Sequence, residues 1–164
     1  ADAIDRGELI RLRRRWLALP DADPYVIAAA RAGVILTCVT AAVHHGLWVA
    51  SHTEPHVAAG PHSGRVDVAP GTRVHRTRPL IPRHPDALVD GVGNTLVAVA
   101  SCLPRDDALV VWESALNKRL ISLDELSRLP LPARARALAE VAQPFADSGL
   151  ETYLIADFGG SGFV

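Results

Sequence analysis

The sequence predicts an α+β fold: an arginine-rich hairpin leading into a small mixed α/β domain with a short sheet and several helices. Three observations carry that prediction. Residues 7–19 alternate apolar and charged side chains as a half-buried ribbon does. Residues 47–83 hold short β-prone runs cut by prolines and glycines. From Val92 onward, apolar residues recur at helical spacing.

At 164 residues, with 49% apolar and 21% charged side chains, the chain is long enough to bury a sizeable core in one domain or two small ones. A formal net charge of −1 argues against a wholesale polyanion binder, although a local basic patch stays open. Apart from Lys118, every basic residue is arginine. The first residues are charged and show no signal-peptide pattern, and the longest apolar run, Gly33 to Val43, is too short to span a bilayer. The expected location is therefore cytoplasmic. Cys38 and Cys102 lie far apart in sequence, each inside an apolar run, and form no zinc-type pair, so buried free thiols are expected.

Taken in order, Ala1–Gly7 reads as the last turns of a helix closed by Gly7, as though something upstream were absent. Five arginines follow between Arg6 and Arg15, interleaved with Leu9, Ile10, Leu12 and Trp16, as two short strands meeting near Arg14. Asp23 caps a helix that begins at Pro24 and runs to Gly33, and a second covers Thr37 to His45, stopped by Gly46. Leu47–Val49, His56–Ala59 and Arg73–Arg76 are the expected strands of a small antiparallel sheet. Helices are expected over Val92–Leu103, Asp106–Arg119, from the capping box Ser122-Leu123-Asp124-Glu125 to Leu129, and over Ala133–Ala142 after Pro132. Asp147–Glu151 opens a last helix, and Gly159–Gly162 reads as a linker.

Chemistry is sparse by motif. All seven histidines (His44, His45, His52, His56, His62, His75, His84) fall in or beside residues 47–83. His52 and His56 have helical ligand spacing, but Pro55 stands between them and no HExxH occurs. His56 and His62 converge with His75 only if the strands register favourably, so ordinary hydrogen-bonded histidines are expected and no metal or cofactor is assigned. Ser63 lacks a nucleophile-elbow pattern, and Gly91-Val92-Gly93-Asn94 reads as a turn before a helix rather than a phosphate loop. No self-contained active site is visible.

Several segments together resemble one family: Gly7–Arg14, Ala28–Gly33, Leu36–Ala42 with Gly46-Leu47-Trp48, Val74-His75-Arg76, and Asp147–Thr152. The chain resembles the actinobacterial AbiEi-like proteins, antitoxins and transcriptional regulators of type IV toxin–antitoxin systems that are often joined to a Vsr-like endonuclease domain. The resemblance implies three segments. Residues 1–20 would be the end of a recognition helix and the wing of a winged helix-turn-helix, residues 21–146 an α/β regulatory domain, and residues 147–164 the start of a truncated nuclease-like segment. It also implies DNA and a cognate toxin as partners, with Arg6, Arg11, Arg13, Arg14 and Arg15 near phosphate. Arg15 stands where the family usually has glycine. Glu151 matches the first acidic residue of the nuclease-like domain, but the further carboxylates that would hold a catalytic metal are not present, so the chain alone should not cut DNA. The expectation is a DNA-associated, antitoxin-like regulator. The alternatives are a non-catalytic part of a Vsr-like endonuclease, or a protein-interaction domain whose arginines serve solubility.

Overall fold

A computed structural model describes residues 3–13, 16–50 and 54–144. Among these, helices and short strands combine into an α+β fold, as the sequence predicts. Residues 3–8 form turns rather than an assigned helix, yet they close like one. Gly7 sits at φ 74°, its N–H donates to the Ile4 carbonyl at 3.0 Å, and the Glu8 N–H donates to the Ala3 carbonyl at 3.0 Å. That is the paired bonding of a Schellman helix end.

The hairpin follows as β1 (Ile10–Arg13) and β2 (Trp16–Ala18), antiparallel, with Ile10 opposite Ala18 and Arg11 opposite Leu17. The register slips between Arg11 and Arg13, so Arg13 faces Trp16. Such an irregularity adds twist to a two-stranded ribbon. Ile10, Leu12, Trp16 and Ala18 are half-buried while Arg11 and Leu17 are exposed, which is the alternation expected of a ribbon laid on a body. The body is α1 (Pro24–Ala32), against which β1 packs.

The first helix is built as its ends foretell. The Asp23 carboxylate accepts from the N–H groups of Tyr25 (2.7 Å) and Val26 (3.4 Å), Pro24 occupies the first turn, and Gly33 closes the helix at φ 68°. Next come β3 (Ile35–Leu36) and the short α2 (Cys38–His44), which ends before Gly46 at φ 70°.

The middle of the chain departs from expectation. Leu47–Val49 forms no strand: Leu47 is buried in the helical core, and the Trp48 N–H donates to Ser114 Oγ at 3.0 Å instead of to a ladder. The sheet consists of β3, β4 (His56–Ala58) and β5 (Arg73–His75), in that order. It is mixed rather than antiparallel. β3 and β4 run antiparallel, whereas β4 and β5 run parallel, with His56 opposite Arg73 and Ala58 opposite His75. The physical reason is the long return through residues 59–72, which brings the chain back to the same end of the sheet; a tight hairpin would have forced antiparallel pairing. As the central strand, β4 is buried throughout.

Four helices complete the body: α3 (Val92–Cys102), α4 (Arg105–Asn117), α5 (Leu123–Ser127) and α6 (Ala133–Ala139). The capping box at α5 forms as predicted: Ser122 Oγ accepts from the Glu125 N–H and the Glu125 carboxylate accepts from the Ser122 N–H. α6 stops at Ala139, one turn earlier than its alanine-rich sequence suggests. Trp112 is wholly buried at the centre of this helical core, its indole N–H donating to the Leu96 carbonyl at 3.1 Å. A second, smaller core gathers Ala29, Val34, Leu36, Val57 and Ala59, with Val66, Val68 and Val74 packed against it.

One buried polar residue ties these layers together. Asp90 is 1% exposed and accepts from the Thr37 hydroxyl at 2.6 Å and from Arg83 through two nitrogens at 2.6 and 2.8 Å. Its carbonyl accepts from His45 Nε2 at 2.7 Å, and its N–H donates to the Leu36 carbonyl at 2.9 Å. Thr37 therefore precedes α2 without capping it, because its hydroxyl is committed to Asp90. Among the described residues, no helix is long and apolar enough to cross a membrane.

Candidate functional site

Two regions carry chemistry, and they are built in opposite ways. The first is the hairpin. Arg6 precedes it and is held in a forked ion pair by Glu8, at 2.7 and 2.8 Å. The pair pushes the arginine up and holds the Glu8 carboxyl below its usual range. Both groups are solvent-exposed, so the pair is screened and adds little stability. Arg11 is exposed on the ribbon's outer face beside Leu17, and Arg13 is the last residue of β1. Arg14, Arg15 and Glu151 lie outside the described residues. Of the five arginines singled out in the sequence, the structure thus places Arg6, Arg11 and Arg13 along one short ribbon and its approach.

The second region was not legible as a motif. In the parallel register of β4 and β5, side chains two apart share a face of the sheet, so His56 lies on the same side as Arg73 and His75. Val57 and Val74 point to the opposite side, into the smaller core. On the histidine side the sheet meets the start of α2 and the end of α3, which deliver Cys38 and Cys102. One donor atom from each of Cys38, His56, His75 and Cys102 lies within 4.8 Å of the other three. The two thiols, far apart in sequence, are therefore neighbours in the fold, and two of the seven histidines join them.

The geometry is specific. His75 Nε2 is 3.2 Å from His56 Nδ1, and Cys102 Sγ is 3.8 Å from the same nitrogen. The two imidazole rings stand 5.1 Å apart, tilted by 42°. His56 is fixed at its backbone, where its N–H donates to Thr40 Oγ1 at 2.7 Å and its carbonyl accepts from the Thr37 N–H at 3.1 Å. Its other ring nitrogen, Nε2, lies 3.5 Å from Glu54 Oε1. Glu54 also pairs with Arg73 at 2.7 Å, and Arg73 Nη1 reaches Cys102 Sγ at 3.7 Å. Cys38 holds a left-handed backbone, φ 51°, a conformation that costs a non-glycine residue about 1–3 kcal/mol.

Burial pushes the Cys38 thiol well up, and the neighbouring Cys102 adds to the effect. Burial, helped by the Arg73 charge, lowers His75. The remaining described histidines do ordinary work. His44 sits 3.5 Å from the Asp23 carboxylate, His45 bonds the Asp90 carbonyl, His84 Nδ1 accepts from the Asp86 N–H at 3.2 Å, and His62 is exposed. His52 lies outside the described residues. Asn94 has a structural task, clamping Ile81 through two hydrogen bonds at 2.8 and 2.9 Å; of the segment read as a turn before a helix, Gly91 is the N-cap and Val92–Asn94 already form the first turn of α3.

An open groove of about 720 Å³ runs between α1 and residues 65–69, floored by Ala29, Val34 and Val57 and flanked by Tyr25, Arg31 and Arg65. No family model matches the chain, and neither a curated protein nor a solved structure is similar enough to match it.

Proposed function

We propose that the chain is a DNA-associated regulatory protein of the antitoxin-like kind, which grips the phosphate backbone through its arginine hairpin. The observation that carries the reading is the ribbon itself: an antiparallel pair whose apolar side rests on the body while Arg11 faces solvent, with Arg6 and Arg13 at its base and tip. Guanidinium groups on the outer face of such a ribbon supply sequence-independent phosphate contact, as a wing does, and read no bases. Arg14 and Arg15 extend the same cationic run in the sequence. The resemblance to AbiEi-like regulators supports the same assignment, and the open groove beside α1 is a suitable seat for a protein partner such as a cognate toxin.

Titration of labelled duplex DNA across a salt series tests it. Binding should weaken with salt, with about 0.9 of a log unit of slope for each phosphate neutralised. Arg11→Gln and Arg13→Gln should flatten the slope without changing the fold. Undetectable binding at low salt, or a slope indifferent to both substitutions, would overturn the reading.

A further inference from the structure

We propose that Cys38, His56, His75 and Cys102 form a closed, four-coordinate zinc centre that clamps the mixed sheet to the helical body. It is independent of DNA binding, since no residue of the hairpin takes part.

The donor set and its spacing both point to this ion. Two thiols and two imidazoles are the soft and borderline ligands that tetrahedral zinc takes in structural sites. With metal–nitrogen bonds of about 2.0–2.1 Å and metal–sulfur bonds of about 2.3 Å, a tetrahedron has nitrogen–nitrogen edges of roughly 3.3 Å and nitrogen–sulfur edges of roughly 3.6 Å. The observed separations, 3.2 Å for His75 Nε2 to His56 Nδ1 and 3.8 Å for Cys102 Sγ to His56 Nδ1, lie within a few tenths of an ångström of those edges. All four donors already lie within 4.8 Å of one another, about an ångström more than the longest edge of that tetrahedron, the sulfur–sulfur edge of roughly 3.8 Å. Four protein ligands leave no open coordination position, so the site is a structural fastener rather than a catalyst.

The surroundings complete the design. Metal-bound histidines commonly present their second nitrogen to a carboxylate, which fixes the tautomer that leaves the first nitrogen bare. Glu54 stands on that side of His56, and Arg73 holds Glu54 in place. The same arginine reaches toward Cys102 Sγ, where it offsets thiolate charge. Loading exchanges the two thiol protons for one divalent cation, which leaves the quartet itself neutral in its half-buried setting. The ligands come from α2, β4, β5 and α3, so one ion joins elements that are remote in sequence.

Cobalt(II) is the probe. The full chain, reduced and stripped with a chelator, is titrated with Co²⁺ while its optical spectrum is followed, then challenged with Zn²⁺. The expected result is one Co²⁺ per chain with thiolate-to-metal charge transfer and the visible bands of a tetrahedral site, displaced by the tighter-binding Zn²⁺. Cys102→Ser and His75→Asn should each weaken binding by at least about 100-fold, and Glu54→Gln by about 10- to 100-fold. His62→Asn, at an exposed histidine outside the quartet, should change nothing. Circular dichroism checks that the variants fold. Should Cys102→Ser or His75→Asn fail to fold, the wild-type spectrum and the contrast between Glu54→Gln and His62→Asn still decide. A reduced wild-type chain that shows no thiolate charge transfer overturns the proposal. So does a folded Cys102→Ser chain that binds cobalt as tightly as wild type.

Discussion

The hairpin and the cysteine–histidine quartet concentrate chemistry by different physics. The hairpin and its approach are contiguous and mainly basic: Arg6, Arg11 and Arg13 lie within eight residues, Arg6 and Arg11 are exposed, Glu8 alone opposes them in sign, and what holds them is one antiparallel pair resting on α1. The quartet is dispersed from residue 38 to residue 102, buried or half-buried, and exists only when two helices and two strands have all docked. A contiguous exposed cluster depends little on the rest of the molecule, so its interactions are weak one by one and screened by salt. A convergent buried cluster depends on everything around it, and anything that binds it contributes to folding.

The largest expected break in that comparison is at Asp90. It anchors Thr37, the residue before Cys38, and it satisfies Arg83 from a buried position. Asp90→Ala leaves Arg83 without its buried partner and should cost about 3 kcal/mol in denaturant unfolding. It should also loosen the placement of Cys38, whereas Arg11→Gln should shift stability by less than about 0.5 kcal/mol. Equal losses from the two substitutions would erase the distinction between the regions.

A smaller effect sharpens it from outside both. Arg119 ends α4 at φ 56°, with its own N–H and that of Leu120 making the bonds of a Schellman end where glycine is usual. Arg119→Gly should stabilise the chain by about 0.5 kcal/mol, the relief of strain outweighing the added freedom of the unfolded chain. A lower melting temperature for this variant would contradict that account.

The smallest effect is a pH dependence at the α5 cap. The Ser122 hydroxyl and N–H hold the exposed Glu125 carboxyl below its usual range. A carboxyl lowered in the folded state stabilises fully above its unfolded value, about 4.3, and loses that contribution as pH falls through the folded value. Glu125→Gln should therefore lower the melting temperature slightly at neutral pH, and the gap to wild type should shrink as the solution is acidified below pH about 4. A gap that widens in acid would reverse the sign and refute it.

What could be read without the structure was whatever a few neighbouring residues decide. Asp23-Pro24, Gly33, Gly46 and the Ser122–Glu125 box mark helix ends through local bonds, and each does so in the fold. The ribbon's alternation belongs to the same class. Leu47–Val49 looked like a strand because the residues are β-prone, but Leu47 is claimed by the helical core. The quartet stayed hidden because its spacing fits no contiguous motif and because an antiparallel sheet was expected in place of parallel β4 and β5. The available clue was parity: Arg73 and His75 are two apart, so parallel pairing of their strand with the one that begins at His56 puts all three residues on one face.

The centre itself can be tested most directly by X-ray absorption at the zinc edge on the zinc-loaded, reduced full chain. The account predicts a mixed first shell of two sulfurs at about 2.3 Å and two nitrogens at about 2.0–2.1 Å. A shell of oxygen and nitrogen alone, without sulfur, would contradict it.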